Sequence, residues 1–596
     1  MAEQHEIIFL PGGQRSVVPA GTKLLEAARA CGASIEAPCD GRGTCGKCRV
    51  KAGAGLKPAD EIERDRLGPA LDEGYRLACR SEICGPVRAE IPASRTATFV
   101  ALTGGRGREW PFDPPVRQVA GQRSADTDQS ALAQGATPLF AENYPAMLEE
   151  LAGEYKKGLK QYRKVVKNHQ VLDWRFAADR PCCGVALDIG TTSVVAELFD
   201  LTDGRSLGTR SCLNPQTEFG GDVLTRISFA SQSADGTTLL QKKIVDGVNG
   251  LLAELAAAAG ICSGDVYEVV VAGNTTMQHL LLGVNPRSLA HAPYRPVFTE
   301  QLEINPARLG LNIAPRGVVT LLPSAAAFVG ADIVAGVLAT GLYGYEKTAL
   351  FIDIGTNGEL VVAKGGALAG TSSAAGPALE GMNIACGCRA EQGAVEGFAV
   401  LADGVVEVKV IGGCAPRGLC GSGLIDAVAE LVRCGVIGAS GRFAKREKLP
   451  SGLAARLTEH NGQQVFMIDE AGPVYLSQKD IRQVQLAKGA IAAAVDLLLQ
   501  ELAVSYAELD EVLVAGAFGF HLKPSSLVGI GLLPELCRDK IRFVGNTAQE
   551  GAKAVLLNRR AAAEVRKIGH RLAIKELSLH PRFQDCFVKC LAFPEQ

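Results

Sequence analysis

The chain has 596 residues, and 62 Lys and Arg nearly balance 64 Asp and Glu, for a formal net charge of -2. This balance argues against a binder of nucleic acid or of an anionic membrane surface, and 47% hydrophobic residues argue against global disorder. No apolar stretch approaches the ~18 residues of a membrane-spanning helix, and the first residues lack a basic, apolar leader, so we expect a cytoplasmic protein.

Residues 1–93 form the first of roughly three or four expected domains. Two short strands flank a Pro-Gly-Gly turn, and a helix follows through Leu24. After a glycine-rich loop, further strands are expected at Cys48–Lys51 and Pro86–Ile91. This order of strands, helix, loop and strands is typical of the β-grasp fold.

Three cysteines lie close together in the glycine-rich loop, and a fourth follows well downstream. They are Cys39, Cys45 and Cys48, spaced C-x5-C-x2-C, and Cys79. Three ligands on a short loop and one distant thiol are how a [2Fe–2S] cluster is held, because bare glycine backbone can wrap the cluster. A structural zinc site is the alternative, but zinc usually takes two close cysteine pairs. Cys31 and Cys84 are rivals for the fourth ligand.

The next two segments differ in character. Residues 94–135 are rich in Gly, Pro and Ser without periodicity, which predicts a linker. Residues 136–182 look amphipathic and predict a small helical region with four lysines on one face. We interpret that face as solvated, with docking of an acidic partner as the alternative. The four are Lys156, Lys160, Lys164 and Lys167.

Residues 183–596 alternate apolar strands with helical patterns and contain an internal repeat. Asp188-Ile-Gly-Thr-Thr reappears as Asp353-Ile-Gly-Thr-Asn, in each case between apolar strands. Each copy is followed by an apolar strand that ends in Ala-Gly, at Gly273 and at Gly516. The repeat predicts a duplicated α/β unit with a cleft between the copies.

The two repeated turns predict paired phosphate sites. Glycine permits a tight hairpin whose N–H groups and hydroxyls form a concave anion site, and an aspartate at the strand end can hold Mg²⁺. These motifs resemble the phosphate and adenosine motifs of the actin, sugar-kinase and heat-shock ATPase superfamily. We name residues 190–193 the first phosphate turn and residues 355–358 the second phosphate turn.

The site residues of this predicted ATPase fall into four groups. Asp188 and Asp353 are assigned to Mg²⁺; Gly190, Thr191, Thr192, Ser193, Gly355, Thr356, Asn357 and Gly358 to the phosphates of ATP; Gly516 and Gly519 to adenosine; and Glu359 and Glu380 are candidates for positioning the attacking water. The other cysteine pairs lack a second well-spaced pair in the sequence, so we interpret them as inert thiols. These pairs are Cys182/Cys183, Cys386/Cys388, Cys414/Cys420 and Cys586/Cys590.

Cys39, Cys45, Cys48 and Cys79 followed by the two Asp-x-Gly-Thr motifs resemble the reductive activators of corrinoid-dependent enzymes. The resemblance implies an α/β multidomain protein: a β-grasp ferredoxin-like domain, a linker, a small helical middle region and a duplicated, ribonuclease-H-like ATPase domain. It implies that one electron passes from the cluster to the Co(II) corrinoid of a partner protein in a methyltransferase system, restoring Co(I), with ATP driving the step. A low-potential electron donor is also implied.

Other interpretations stay open at this point. One is a small-molecule kinase with a redox-regulated domain, and another is a nucleotide-gated electron carrier without turnover. An activator of 2-hydroxyacyl dehydratases shares the ATPase type, but that group lacks an N-terminal [2Fe–2S] domain. A homodimer is left open, and neither nucleic acid nor membrane is expected as a partner.

Overall fold

The structure, a computed structural model, describes residues 3–595 except 34, 36, 38–40, 42, 44–45, 93–106, 123–132, 134–136, 177–179, 402–403, 461, 470–471, 473 and 517–521. The predicted site residues Cys39, Cys45 and Gly519 therefore lie outside the described residues. Within the described part of the chain, every helix is too short or too polar to cross a membrane.

The N-terminal domain is a five-stranded sheet in the order β2-β1-β5-β3-β4, with two short helices. Its elements are β1 (Gln4–Leu10), β2 (Gln14–Pro19), α1 (Leu24–Cys31), β3 (Arg49–Ala52), α2 (Glu61–Leu67), β4 (Tyr75–Leu77) and β5 (Val87–Glu90). Alternate side chains of β1 and β5 are buried because successive residues of a strand point to opposite faces. The predicted strands and helix of this domain are confirmed.

The middle of the chain differs from its prediction. Helix α3 (Tyr144–Lys156) is present, but strands β7 (Gln161–Lys167) and β8 (Gln170–Arg175) follow it. They form a three-stranded sheet with β6 (Val116–Gln122), which lies inside the predicted linker. The helical prediction for 136–182 is therefore wrong for 161–175, and the linker prediction for 94–135 is wrong for 116–122.

The lysine spacing was a misleading signal. Lys164 lies in β7, with its ammonium over the ring of Trp174 at 5.9 Å. Lys167 is buried and binds Glu268 at 2.6 Å and Glu303 at 2.9 Å. The lysines do not share a solvated helix face, because valines and aromatic residues in this segment favour strands that pack on the ATPase domain.

Residues 183–345 fold around a first sheet in the order β11-β10-β9-β12-β14-β13. The elements are β9 (Cys183–Ile189), β10 (Ser193–Asp200), β11 (Ser206–Leu213), α4 (Val223–Gln232), α5 (Gly236–Ala259), β12 (Val266–Gly273), α6 (Thr275–Leu281), β13 (Leu302–Ile304), α7 (Pro306–Leu309), β14 (Val318–Leu321) and α8 (Ala331–Thr340). Strands β9, β10 and β11 pair antiparallel, whereas β12 and β14 are parallel to β9 and to each other.

The remaining residues fold around a second sheet in the order β25-β24-β15-β16-β17-β26. The elements are β15 (Ala349–Ile354), β16 (Gly358–Lys364), β17 (Ala367–Ser373), β18 (Ala394–Val400), β19 (Val406–Val410), β20 (Gly418–Leu419), α9 (Gly421–Arg433), α10 (Ser451–Arg456), β21 (Leu457–His460), β22 (Gln463–Met467), β23 (Tyr475–Ser477), α11 (Gln478–Glu501), β24 (Glu511–Ala515), α12 (Pro524–Gly529), β25 (Ile541–Gly545), α13 (Thr547–Leu557), α14 (Arg559–Arg571), β26 (Leu572–Ile574) and α15 (Phe583–Cys590). Five strands of this sheet, β17-β16-β15-β24-β25, correspond in order to β11-β10-β9-β12-β14 of the first sheet. Strands β26 and β13 are additional edge strands at opposite ends of the two sheets.

One hydrophobic core joins the facing sides of the two sheets through helices α8 and α13. The two helices touch at glycine: a Cβ on Gly551 would lie 2.3 Å from the carbonyl oxygen of Ala335. Separate cores fill the outer sides, with α5 on the first sheet and α9 and α11 on the second. The layered arrangement places both phosphate turns at the cleft between the sheets.

Candidate functional site

The two phosphate turns are tight hairpins at equivalent places in the two sheets. In the first, Asp188 pairs with Val195 across β9 and β10, and the N–H of Gly190 donates to Ser193 O at 2.8 Å. In the second, Asp353 pairs with Glu359 across β15 and β16. Both aspartates sit near the end of the first strand of their sheet, as predicted.

Glu380 connects the two phosphate turns. It lies in the short helical turn Pro377–Glu380, and its Oε2 accepts hydrogen bonds from Thr356 Oγ1 at 3.1 Å and Thr192 Oγ1 at 3.4 Å. One half-buried carboxylate is therefore shared by hydroxyls from both phosphate turns. The structure thus brings the predicted residues of both turns into one cleft.

Five half-buried carboxylates line this cleft. Burial raises the pKa of Asp188 to about 6, and burial together with the charge of Asp188 raises the pKa of Asp332 to about 7. Burial and the nearby aspartates raise the pKa of Asp353 to about 8, and those of Glu359 and Glu380 are also raised by burial. The pKa values of these carboxyl groups are raised because burial, and in some cases a neighbouring carboxylate, disfavours the ionised form. A bound divalent cation would supply positive charge and favour their ionised form.

The described carboxylates of this cleft do not form a close three-ligand group. Among the described residues, no three of them bring their oxygens within 4.8 Å of one another. Mg²⁺ keeps several waters and usually takes one or two carboxylates together with substrate phosphates. The donor set therefore fits Mg²⁺ that arrives with a nucleotide, held at Asp188, Asp332 or Asp353.

Two asparagines position the first phosphate turn, and the sequence analysis assigned a role to neither of them. Asn274 caps α6 and donates to Thr191 Oγ1 at 3.0 Å. Asn546 caps α13 and donates to Asp188 Oδ2 at 2.9 Å. A signal existed, because Gly545-Asn546-Thr repeats Gly273-Asn274-Thr. Asp332 was missed too, and no repeat in the sequence marks it.

Gly273 and Gly516 are both at positions where the backbone conformation and a close carbonyl oxygen require glycine. Their φ angles are +153° and +123°, which disfavour other residues. A Cβ would lie 2.7 Å from the carbonyl oxygen of Ile189 in the first case and 2.3 Å from that of Ile354 in the second. These glycines let the fourth strand of each sheet end directly against its phosphate turn. An adenosine contact at Gly516 stays a prediction.

Two of the four predicted cluster ligands, Cys48 and Cys79, lie among the described residues. Cys48 and Cys79 are buried in the core of the N-terminal domain, and a Cβ on Gly41 would lie 3.8 Å from Cys79 Cβ. The glycine-rich loop therefore passes directly beside Cys79. The rival Cys84 is exposed, and the other rival, Cys31, donates to Ala28 O at 3.4 Å. Thiols beside a loop of left-handed glycines fit an iron–sulfur cluster.

A buried ion pair holds Cys79 in place. Glu63 on α2 accepts from Arg76 at 2.8 and 3.0 Å and from the N–H of Leu77 at 2.9 Å. Ser81 also donates to Glu63 at 3.2 Å. The backbone on both sides of Cys79 is thus fixed to helix α2.

The N-terminal domain contacts the first half of the ATPase domain and acts electrostatically on the second. Arg29 donates to Glu218 O at 3.2 Å, and its guanidinium lies 5.7 Å from the ring centre of Phe219. Asn214, just upstream, donates to Gly190 O at 2.8 Å in the first phosphate turn. Lys47, between two predicted cluster ligands, interacts electrostatically with Cys386 and Cys388 of the second half.

We expect the nucleotide-free protein to lose stability as pH rises. The folded-state pKa values of Asp188 and Asp353, about 6 and about 8, lie above the ordinary value of 3.8. The folded state then binds more protons than the unfolded state between about pH 4 and 8, so its free energy of unfolding falls across that window. Melting temperatures measured between about pH 6 and 8.5 should fall less steeply for Asp353→Asn. An equal slope for both proteins would contradict the burial of this charge.

Comparisons with known proteins give consistent matches along the chain. Three family models match successive parts: a 2Fe-2S iron-sulfur cluster binding domain over residues 8–84, the RACo middle region over residues 183–345, and the C-terminal domain of RACo, the ASKHA domain, over residues 347–596. The corrinoid activation enzyme RamQ of Eubacterium limosum is 32% identical over 576 residues, covering 94% of each chain.

Two further matches are also to proteins named for the reduction or activation of corrinoid proteins. The Co(II) methylated amine-specific corrinoid protein reductase of Methanosarcina barkeri is 25% identical over 429 residues, which cover 66% of this chain and 74% of that protein. A solved structure of a reductive activator for corrinoid,iron-sulfur protein superposes with a TM-score of 0.75 at 31% identity, covering 99% of this chain and 98% of that one. The ferredoxin-like domain and the ATPase domain are thus confirmed, with a [2Fe–2S] cluster and ATP as cofactors.

Proposed function

The chain belongs to the family of reductive activators of corrinoid proteins, and we propose that it transfers one electron from a [2Fe–2S] cluster to the Co(II) corrinoid of a partner protein. Co(II) gains that electron and becomes Co(I), and ATP hydrolysis drives the transfer. The relatives are named for corrinoid activation, for reduction of a Co(II) corrinoid protein and for reductive activation of a corrinoid protein. The partner is accordingly a corrinoid protein of a methyltransferase system.

The cluster is held by the thiolates of Cys39, Cys45, Cys48 and Cys79. When bound, it supplies a one-electron carrier near ~-400 mV. The protein keeps the site dry through the burial of Cys48 and Cys79. An acceptor about 200 mV lower costs about 5 kcal/mol per electron, so a second energy source is required.

The cleft between the two sheets supplies that source. Asp188, with Asp353 or Asp332, holds Mg²⁺, and the N–H groups and hydroxyls of both phosphate turns bind the phosphates. Glu380 accepts a hydrogen bond from a threonine of each phosphate turn, so one side chain contacts both turns. Glu359 and Glu380 remain the candidates for orienting the attacking water.

The observation that carries the proposal is the contact of the cluster domain with the segment that holds the first phosphate turn. Arg29 binds this segment, and the positive charge of Lys47 acts to lower the pKa of Cys386 and Cys388 in the second half of the ATPase domain. A change in the distance between the two halves therefore changes the surroundings of the N-terminal domain, which carries the cluster. ATP can favour one arrangement only by binding it more tightly than the other.

Steady-state reduction of a corrinoid protein tests this function. The protein, a low-potential reductant and candidate Co(II) corrinoid proteins are mixed anaerobically, and cobalt absorbance is followed with and without Mg-ATP. We expect Co(I) to accumulate only with Mg-ATP. Phosphorylation of a sugar or polyol by the protein, with no effect on cobalt, would instead support the kinase alternative.

Replacing Arg29 with alanine should uncouple the two activities. ATP hydrolysis should be nearly unchanged, whereas ATP-stimulated Co(I) formation should fall about 5- to 150-fold, the range of a coupling free energy of 1–3 kcal/mol. Arg15→Ala is the matched control, because Arg15 is exposed and pairs with Glu6 on the same domain. If both variants reduce cobalt like the wild type, the contact with Phe219 has no role in coupling.

The donor, the oligomeric state and the compartment are further parts of the proposal. We propose a low-potential electron donor, a homodimer and a cytoplasmic location. Light scattering of the purified protein distinguishes monomer from dimer.

A further inference from the structure

The C-terminal helix brings two cysteines to one aspartate, far along the chain from the cluster motif. Cys586 and Cys590 are four residues apart on α15 and therefore lie on the same helix face. Asp496 on α11 faces them, and the three ligand atoms lie within 4.8 Å of one another. The sequence alone gave no reason to join these residues.

The spacing of these atoms is close to that of a tetrahedral metal centre. Asp496 Oδ2 lies 3.7 Å from Cys590 Sγ and 3.9 Å from Cys586 Sγ. Zinc bonds of about 2.3 Å to sulfur and about 2.0 Å to oxygen place these atoms about 3.5 Å apart. Shifts of a few tenths of an ångström would complete the geometry.

The surroundings orient the carboxylate. Tyr506 donates a hydrogen bond to Asp496 Oδ1, which leaves Oδ2 directed to the two thiols. Such a partner behind a ligand is typical of metal sites, because it fixes the ligand and tunes its charge. The buried ammonium of Lys488 also interacts electrostatically with Cys590, which offsets the negative charge of two thiolates and a carboxylate.

The group opens onto a cavity. A space of about 480 Å³ is lined by Asp496, Tyr506 and Cys590 and by the segment 528–535. From these contacts we propose that Asp496, Cys586 and Cys590 bind a thiophilic divalent cation, zinc in the first instance, with the fourth position open to water in this cavity. The proposal is independent of the function proposed above.

The site also has a structural consequence. Helix α11 packs directly under the second phosphate turn, since a Cβ on Gly358 would lie 2.6 Å from Ile491 Cγ1. A cation between α11 and α15 clamps the end of the chain to this helix. The clamp is built into the half of the ATPase domain that carries Asp353.

Zinc retention tests the proposal. The intact protein, with its cluster and under reducing conditions, is incubated with Zn²⁺, dialysed and analysed for zinc and iron. We expect the wild type to retain one zinc per chain more than the Cys586→Ser/Cys590→Ser variant, at equal iron. Cys262→Ser is the matched control, since Cys262 is exposed and serine caps the following turn equally well.

Two single variants keep the test decisive if the double variant folds poorly. Asp496→Asn retains both thiols and should lose the extra zinc. Tyr506→Phe retains all three ligands, and titration with Zn²⁺ should show an affinity about 10- to 100-fold lower. Equal zinc in the wild type, the double variant and Asp496→Asn would overturn the proposal.

Discussion

Replacing Cys79 with alanine should give a colourless protein that no longer reduces cobalt. Cys79 lies buried beside the glycine-rich loop, and we propose its thiolate as the fourth cluster ligand with those of Cys39, Cys45 and Cys48. Without it, iron content should fall about 10-fold or more, since a [2Fe–2S] cluster needs four protein ligands. Elemental analysis and visible absorbance measure the loss. ATP hydrolysis should persist, because the phosphate turns lie in another domain.

The rival cysteines are the controls for this result. Cys84→Ala and Cys31→Ala should retain iron, since Cys84 is exposed and Cys31 donates to the backbone of its own helix. If either variant lost its cluster while Cys79→Ala kept a full complement, the ligand assignment would be wrong. Zinc in place of iron in wild-type protein prepared without oxygen would refute the cluster itself.

Replacing Asp188 with asparagine should stop ATP turnover while leaving the cluster intact. Asp188 is half-buried beside the first phosphate turn and accepts from Asn546 at 2.9 Å, which fixes the carboxylate that we propose for Mg²⁺. Loss of one such preorganised charge typically costs about 100-fold or more in rate. ATP-dependent Co(I) formation should fall with it, because the energy for the uphill electron comes from the nucleotide.

Asp200→Asn is the matched control for this variant. Asp200 lies at the far end of the same hairpin, opposite Cys183, and accepts from Thr202 in a surface turn. It should hydrolyse ATP like the wild type. Undiminished cobalt reduction by Asp188→Asn, at undiminished hydrolysis, would show that Asp188 does not handle the nucleotide.

The site could be predicted from the sequence where its residues are close along the chain. The spacing of Cys39, Cys45 and Cys48 and the two repeated Asp-x-Gly-Thr turns needed no tertiary information. Asp332 needed it, because this residue reaches the cleft from the first turn of α8 and no local pattern marks it. Asn546 was predictable in part. Its motif repeats that of Asn274, but its contact with Asp188 depends on how the two sheets pack.

The middle region shows why periodicity alone misleads. Lysines at three- and four-residue spacing indicated a helix over 136–182, yet Lys167 is buried in an ion pair with Glu268 on β12. A charge that is neutralised by a distant carboxylate looks, in sequence, like a solvated charge. The strand β6 within the predicted linker was missed for a similar reason, since its partner β7 lies beyond helix α3.

A single-turnover experiment tests most directly whether nucleotide drives the electron from the cluster to cobalt. Protein with a reduced cluster, freed of excess reductant, is mixed anaerobically with a Co(II) corrinoid protein, with or without Mg-ATP. We predict that with Mg-ATP the loss of reduced cluster equals the Co(I) formed, up to one electron per chain, and that almost none forms without it. Co(I) that appears equally fast without nucleotide, or never appears while ATP is hydrolysed, would contradict the account.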